Sequence, residues 1–420
     1  MAPVKPRGSK AGGGRPWGSR SEESKSSTVS SALCLLACLV FALAAVASGL
    51  DRQSLSKPSI ASRIPWPFAS VALQTSGQAN LVAGRLQAAL ADGEAAVRAD
   101  PIDPVSSALL GSARLGLNDL RGAETAFRIA GQMGWRVPLT QAYWMSRAVS
   151  VRDYPVAAMR LDALLRQHPW MLGNTALMAS LESSPEGRKA IADRLAARPL
   201  WLLSYASEIT DQPLSTIDYR AAVLGDLAQR GVIIGCDAVS PPVNRLSEAG
   251  RFTEARKLWR DHCPEAGSAL LGDPDLAYLR TGGVRSYFEW EMIGSADVSM
   301  AILPGKAAER TGDAQILEVH NSSQFTRQVL RQMMLVPPGT YQLSWLASDA
   351  DGKPSTQIIA SASCNPVPAD RLSAMTDASN GRQRAVLRIG TACLGHWLAF
   401  SVLPGGGDVR LGSIRLEPLR

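Results

Sequence analysis

One stretch near the N-terminus constrains this chain most, because it stays apolar for longer than the core of a globular domain requires. No charged residue occurs between Ser26 and Leu50, and the part from Ala32 to Leu50 is almost wholly Ala, Leu, Val, Cys and Phe. About 20 residues of helix cross the hydrocarbon core of a bilayer. The sequence therefore predicts a single transmembrane helix at residues 32–50.

The charge distribution predicts the orientation of that helix. Residues 1–31 hold six basic and two acidic side chains, a net charge of +4 out of +7 for the whole chain. Because basic residues mark the cytoplasmic side of a membrane helix, we expect residues 1–31 to form a disordered cytoplasmic tail. The C-terminus is then periplasmic, and the protein is a single-pass protein of the inner (cytoplasmic) membrane. The remaining charge forms no dense basic run, so no nucleic-acid partner is expected.

A cleaved signal peptide is the alternative interpretation of the same stretch. The triplet Ala45-Val46-Ala47 has the small-x-small pattern that signal peptidase accepts. The tail that precedes it is long for the basic region of a signal peptide, which favours an uncleaved anchor. Both interpretations export the rest of the chain.

The cysteines agree with export. Two of the six, Cys34 and Cys38, lie in the apolar stretch, and four follow it. An even number in an oxidising compartment predicts two disulfides, for which four cysteines allow three pairings. Pairing within each domain, Cys236–Cys263 and Cys364–Cys393, is the most economical. A zinc site from Cys236, His262 and Cys263 is the alternative, but it lacks a fourth ligand and CxxC spacing, so no metal is expected.

A helical region is predicted at residues 80–275, after a Pro- and Ser-rich linker at 51–79. Its clearest signal is one apolar stripe at helical spacing, with Arg160 and Asp162 on the opposite side. The residues of the stripe are Ala157, Leu161, Leu164 and Leu165.

Part of this region resembles the tetratricopeptide repeat. The resemblance is carried by Leu110-Gly111, Ala123, Phe127 and Ala130, and it recurs 34 residues later at Ala157, Leu161 and Leu164. A weaker match lies at 250–259, and no register is found between 175 and 240. The resemblance implies an α-solenoid whose concave surface binds protein partners. The alternative is that the helices only serve as a spacer or platform.

A β-rich domain is predicted at residues 283–420, where the apolar period changes to two. Turn signals such as Pro337-Pro338-Gly339 and Asn380-Gly381 separate about eight to ten short strands, the first at 287–293 and another at 384–390. This spacing is typical of an antiparallel β-sandwich. The predicted fold class is therefore multidomain, with α-helices followed by a β-sandwich.

The layout of this domain resembles the jelly-roll modules related to carbohydrate-binding modules. The residues that suggest it are Phe288-x-Trp290, the phrase from Val336 to Leu343, and the closing segment from Leu411 to Glu417. A helical-repeat stalk and such a sandwich behind one anchor are features that we associate with bacterial exopolysaccharide clusters. The resemblance implies a polysaccharide partner.

Four residues are predicted to form a glycan-binding face: Tyr287, Glu289, Glu291 and Trp397. Carbohydrate sites need aromatic rings that stack on sugar faces, beside hydrogen-bonding side chains. Trp290, Tyr341 and Trp345 lie in the apolar phase of their strands, so we expect them in the core. Glu289 and Glu291 are two residues apart and would point the same way from a strand.

No catalytic signature is found, so no catalytic residue, cofactor or enzyme activity is predicted. GxSxG, HExxH and P-loop patterns are missing from the sequence. The expected function is that of a periplasm-facing accessory or scaffold protein in cell-envelope or exopolysaccharide assembly or export, binding protein and glycan. A protein-only envelope scaffold is the alternative. A glycoside hydrolase is a third hypothesis, which requires two carboxyl groups about 5–10 Å apart in a cleft.

Overall fold

The computed structural model describes residues 23–209, 211–263, 270–305, 314–364, 370–377, 382–391, 393–405 and 407–419. Within these residues, thirteen α-helices precede eleven β-strands, in agreement with the predicted order of an α-helical region and a β-sandwich. The chain divides into two compact units, Met1–Thr140 and Gln141–Arg420. Most of the predicted disordered tail, residues 1–22, lies outside the described residues.

The helices are short, apart from the first. Their bounds are α1 Glu23–Gln53, α2 Ser70–Val82, α3 Leu86–Ala99, α4 Pro104–Gly116, α5 Leu120–Met133, α6 Pro138–Ser150, α7 Tyr154–Leu165, α8 Thr175–Glu182, α9 Pro185–Leu195, α10 Leu202–Ser207, α11 Leu214–Gln229, α12 Cys236–Glu248 and α13 Phe252–His262. Among the described residues, only α1 is long and apolar enough to cross a membrane, over Ser30–Gln53, a test that a signal sequence also passes.

The end of α1 is joined to the start of α2 by one carboxylate. Asp51 is 5% exposed, and its two oxygens accept hydrogen bonds from the backbone N–H groups of Val71 at 3.0 Å and Ala72 at 2.9 Å. A carboxylate at a helix N-terminus satisfies unpaired amides and complements the helix dipole. The predicted linker at 51–79 is corrected at its C-terminal end, because α2 begins within it, at Ser70.

Small residues let the helices of the first unit pack closely. A Cβ atom on Gly111 of α4 would lie 3.0 Å from the ring of Phe127 of α5, so only glycine allows this approach. Ala123, Phe127 and Ala130 are all buried. These are the contacts expected of the residues that carry the repeat resemblance, although the contacts alone do not define a tetratricopeptide repeat.

A buried ion pair lies between the helices of the second unit, in the region where the sequence shows no repeat register. Arg220 of α11 donates through Nε to Glu182 Oε1 of α8 at 3.2 Å, and both side chains are at most 2% exposed. The same guanidinium donates to the backbone oxygens of Tyr205 and Glu208 at 3.1 Å. Burial raises the pKa of Glu182, against the opposing effect of Arg220.

The strands form two antiparallel sheets. Their bounds are β1 Glu291–Met292, β2 Val298–Pro304, β3 Gln315–Asn321, β4 Arg327–Met334, β5 Gly339–Asp349, β6 Ile358–Ser363, β7 Asp370–Arg371, β8 Ala374–Thr376, β9 Arg382–Ile389, β10 His396–Val402 and β11 Asp408–Pro418. Sheet I has the order β1-β4-β10-β6-β7, and sheet II has the order β2-β3-β11-β5-β9-β8. Side chains of both sheets meet in one core, with Trp290, Trp345 and Phe400 at its centre.

The sandwich and the last helices share a second core. Phe288 and Met333 belong to the same buried cluster as Trp259 of α13, and the Trp259 and Phe288 rings lie 5.5 Å apart. Asn244 of α12 donates to the backbone oxygen of Arg285 at 2.6 Å. The domain boundary predicted near 275–283 therefore falls inside the compact unit Gln141–Arg420.

Two disulfides are present. One joins Cys236 to Cys263, with their Cα atoms 4.7 Å apart, and therefore links the start of α12 to the residue after α13. The other joins Cys364 to Cys393, with their Cα atoms 5.6 Å apart, and links the segments that follow β6 and precede β10. Cys34 and Cys38 are not disulfide-bonded, and both are exposed on α1.

Candidate functional site

A cleft of about 700 Å³ lies where α12 and α13 meet the sandwich, and it contains two of the predicted glycan-binding residues. We call it the Tyr287–Trp397 cleft. Its other lining residues include Glu248, Phe252, Arg331, Met333 and the Cys364–Cys393 pair. Both walls belong to the unit Gln141–Arg420, and their shared core fixes the position of each.

Tyr287 is held at both ends. Its backbone N–H donates to Asn244 Oδ1 at 2.8 Å, and its hydroxyl donates to Glu248 Oε1 at 2.7 Å. Partial burial, together with the acidic partner, raises the pKa of Tyr287 to about 12. The phenol is therefore neutral at physiological pH, and because its one hydrogen is donated to Glu248, its oxygen can only accept a hydrogen bond from a ligand.

Trp397 of β10 lies beside Tyr287 in the lining of the cleft. Its ring centroid lies 5.1 Å from that of Tyr287 at an angle of 62°, so the two rings form a corner. The Arg331 guanidinium lies over the Trp397 ring, 4.8 Å from its centroid, and donates through Nε to Glu291 Oε2 at 2.6 Å. A cation that is paired on one side and stacked on the other keeps the indole in one orientation.

Glu289 lies away from this cleft. Its carboxylate accepts from the backbone N–H of Ser286 at 2.8 Å and lies 3.4 Å from the Ser240 hydroxyl, beside a separate cavity of about 610 Å³. Burial raises its pKa. The expectation that Glu289 and Glu291 point the same way is wrong, because only Glu291–Met292 of the predicted strand 287–293 pairs in the sheet. Residues 286–289 form a turn, closed by the Glu289 N–H to the Ser286 oxygen at 2.9 Å.

The sulfur and imidazole groups beside the cleft do not form a free set of metal ligands. Ligand atoms of Cys364, Cys393 and His396 lie within 4.8 Å of one another, but the two sulfurs are bonded together and offer no thiolate. Burial lowers the pKa of His396. The alternative zinc set also lacks its two thiolates, because Cys236 and Cys263 are bonded to each other.

The cleft offers the chemistry that sugars require. An aromatic corner presents flat apolar surface, while the phenol, the guanidinium and the glutamates beside them provide donors and acceptors. Such a mixture of rigid rings and a few fixed polar groups is typical of ligand sites. The structure brings Tyr287 and Trp397 together, adds Glu291 through Arg331, and separates Glu289 from them.

The sequence prediction missed Arg331 and Glu248. Arg331 acts through Trp397, which lies on the adjacent strand β10, where Met333 pairs with Trp397 and Arg331 with Ala399. Glu248 is at the end of α12 and reaches Tyr287 across 39 positions of sequence. Neither residue carries a local signal, because each is defined by a partner that is distant in sequence.

Comparisons with known proteins leave the family open. No family model matches the chain, and no curated protein matches it. Among solved structures, TmCBM61 in complex with β-1,4-galactotriose covers 36% of this chain and 100% of its own, at 12% identity and a TM-score of 0.26. A putative sugar binding protein from Bacteroides thetaiotaomicron covers 37% and 97%, at 14% identity and a TM-score of 0.22.

A third structure with some similarity is the enzymatically active domain of tailspike protein 4 of bacteriophage CBA120. The match covers 36% of this chain but only 21% of the tailspike protein, at 10% identity and a TM-score of 0.26. All three TM-scores are below that of a shared fold. The function is therefore argued from the residues of this chain alone.

Proposed function

We propose that this protein is a membrane-anchored, periplasm-facing accessory protein of cell-envelope or exopolysaccharide assembly or export, which binds glycan in the Tyr287–Trp397 cleft. The observation that carries the proposal is the corner formed by the Tyr287 and Trp397 rings, held by Glu248 and Arg331. A corner of this kind fits two faces of a sugar ring, and its fixed partners mean that little side-chain entropy is lost on binding.

Binding, and not hydrolysis, is the proposed activity of the cleft. The two carboxylates nearest to it already have partners: Glu248 accepts from Tyr287 and pairs with Arg245 at 3.2 Å, and Glu291 pairs with Arg331. Glycoside hydrolysis needs one carboxylic acid that donates a proton to the leaving oxygen. Carboxylates bonded to guanidinium groups are poorly suited to that task.

Retention of α1 as an anchor is part of the proposal. The helix runs without interruption through Ala45-Val46-Ala47 to Gln53, Ala47 is 7% exposed, and Asp51 binds the start of α2. A cleavage site within a helix that packs on the folded region is a poor protease substrate. The helices after the anchor are proposed to bind protein partners.

Glycan binding can be tested on the full chain in lipid nanodiscs with an array of bacterial polysaccharide fragments. We expect Trp397→Ala to weaken binding about fivefold, since loss of one stacked ring costs roughly 1 kcal/mol. Trp170→Ala is the matched control, because Trp170 is 74% exposed and lies on no wall of the cleft. If the wild-type chain retains no glycan at high concentration, the protein-only scaffold replaces this proposal.

Anchoring and topology need separate measurements. A reporter that is active only in the periplasm, fused after Arg420, should be active, and the membrane-bound chain should have the mass of the uncleaved protein. A chain shortened at Ala47, released as a soluble protein, would identify α1 as a signal peptide. An inactive reporter would overturn the export argument.

A further inference from the structure

A groove at the edge of the sandwich, lined by strands of both sheets, collects arginines whose side chains have few partners. Residues of β9 alternate: Gln383, Ala385 and Leu387 are buried, whereas Arg384, Val386 and Arg388 are exposed. The two arginines are four positions apart on one strand, which separates their Cα atoms by about 13 Å. They lie on the opposite side of β9 from the sandwich core.

Neighbouring strands complete the groove. Gln342 of β5 pairs with Val386, and Met375 of β8 pairs with Arg384. Arg371 of β7, the edge strand of sheet I, lines the same depression of about 930 Å³. Met375 is 78% exposed and Val386 is 52% exposed. We call this surface the arginine groove, defined by Arg371, Arg384, Arg388, Gln342, Val386 and Met375.

The arginines of this groove have fewer charged partners than Arg410 and Arg415 of sheet II. Arg410 pairs with Glu318 at 2.8 Å, and Arg415 pairs with Asp275 at 2.6 Å. The guanidinium groups of Arg371 and Arg388, in contrast, make no hydrogen bond or ion pair with any residue that the structure describes, although both backbones pair in the sheets. Arg384 reaches Asp377 at only 3.7 Å. Three arginines against one aspartate give the described lining of the groove a positive charge.

We propose that the arginine groove binds an acidic polysaccharide through its carboxylate groups. A guanidinium is a planar fork that matches a carboxylate with two parallel hydrogen bonds. Uncharged Gln342 and Val386 lie between the two arginines of β9, so the groove fits a polymer whose carboxylates are separated by neutral sugar surface. Gln342 offers hydrogen bonds to hydroxyl groups, while Val386 and Met375 offer apolar contact.

This site is distinct from the Tyr287–Trp397 cleft, whose tryptophan lies on β10 of sheet I. It depends on the export proposed above, because only an exported sandwich meets such polymers. The two sites share no lining residue, so each can fail independently of the other.

The test uses the full chain in nanodiscs of zwitterionic lipid and three probes: polygalacturonate, its fully methyl-esterified form, and polyphosphate. We expect polygalacturonate to bind at low salt, binding to weaken as salt rises, and the methyl ester to bind at least about tenfold more weakly. The double variant Arg384→Gln/Arg388→Gln should weaken polygalacturonate binding by a similar factor, and Arg371→Gln alone by less.

Two control variants make the result specific. Arg121→Gln removes an exposed arginine of α5 in the other unit, and Trp170→Ala removes an exposed ring that lines neither site; both should bind polygalacturonate as the wild type does. An unchanged thermal melting temperature shows that the double variant is folded. Equal binding of the ester, equally tight binding of polyphosphate, or an equal loss in Arg121→Gln would each overturn the proposal.

Discussion

Arginine has opposite environments in two regions of the second unit. In the helices, Arg220 is 1% exposed, and it donates to one carboxylate and two backbone oxygens. On the outside of sheet II, Arg388 is exposed, and its side chain bonds to no residue that the structure describes. The first guanidinium is fully used by the fold, and the second is available to a ligand.

The difference distinguishes charged side chains that stabilise the fold from those that are free to bind a ligand. Removing one partner of a buried pair leaves an uncompensated charge inside the protein, whereas an exposed side chain returns to water at little cost. Substitutions at buried charged groups should therefore change stability, and those in the groove should change binding alone. The following predictions test that division, beginning with the largest effect.

Arg220→Met should lower the free energy of unfolding by about 3–5 kcal/mol, because it leaves the Glu182 carboxylate buried without its cation. Arg388→Met should change it by less than about 0.5 kcal/mol, as expected of an exposed position. Denaturant titration of both variants in the same detergent measures the contrast. The double variant Glu182→Leu/Arg220→Met should recover much of the loss, and equal effects of the two single variants would remove the distinction.

Histidines should show the same division as the pH changes. Burial lowers the pKa of His262, which is fully buried, despite its hydrogen bond to the Leu224 oxygen. Above about pH 6.5 the folded and unfolded states are both neutral. As the pH falls below that value, the unfolded chain takes up a proton that the folded chain resists, so stability falls by up to about 1.4 kcal/mol per pH unit.

His262→Gln should make unfolding free energy less dependent on pH between 7 and 5, when compared with the wild type by denaturant titration. His320→Gln is the control, because His320 is 39% exposed and pairs with Asp408 at 2.9 Å on the surface of sheet II. It should leave the pH dependence near that of the wild type. A reversed order of the two variants would contradict the assignment of acid sensitivity to the buried ring.

Asp51 tests a buried charge whose partners are backbone amides. Asp51→Ala leaves the N–H groups of Val71 and Ala72 unbonded, and we expect a loss of about 1–2 kcal/mol. The exposed cap Asp119, which accepts from Gly122 N at 3.0 Å, is the matched control, with an expected loss of about 0.5–1 kcal/mol on substitution by alanine. The stability losses of the Asp51 and Asp119 variants can be ranked by thermal unfolding, with hydrogen exchange of the backbone amides as the readout for the first unit.

Local patterns allowed the order of elements to be predicted, and contacts distant in sequence explain what was missed. The alternation around β9 predicted a strand at 384–390, and the structure has one at Arg382–Ile389. The same alternation misled at 287–293, because Phe288 is buried from a turn, whose Ser286 N–H donates to Glu289 and whose Tyr287 N–H donates to Asn244, and Trp290 is buried just after it. Burial at every second residue does not by itself require a strand.

Two aromatic residues of the candidate site could be selected from the sequence, but the arrangement of the site could not be predicted. Tyr287 and Trp397 were selected because aromatic rings outside the apolar phase suggest a ligand, and they do lie together. Arg331 could not be selected, since its stacking depends on the pairing of β4 with β10. The buried pair of Arg220 and Glu182 could not be predicted either, because its two residues are 38 positions apart in the sequence.

The contact of Asp51 with the start of α2 changes what the Pro- and Ser-rich stretch can do. The length of a linker limits how far two elements can separate. Here the two ends of the stretch are in contact, because Asp51 accepts hydrogen bonds from Val71 and Ala72. The residues between them form a bypassed loop. Insertions at 54–68 would lengthen this loop without moving the end of α1 away from the start of α2. The distance between those two helix ends is set by the Asp51 contact and not by chain length.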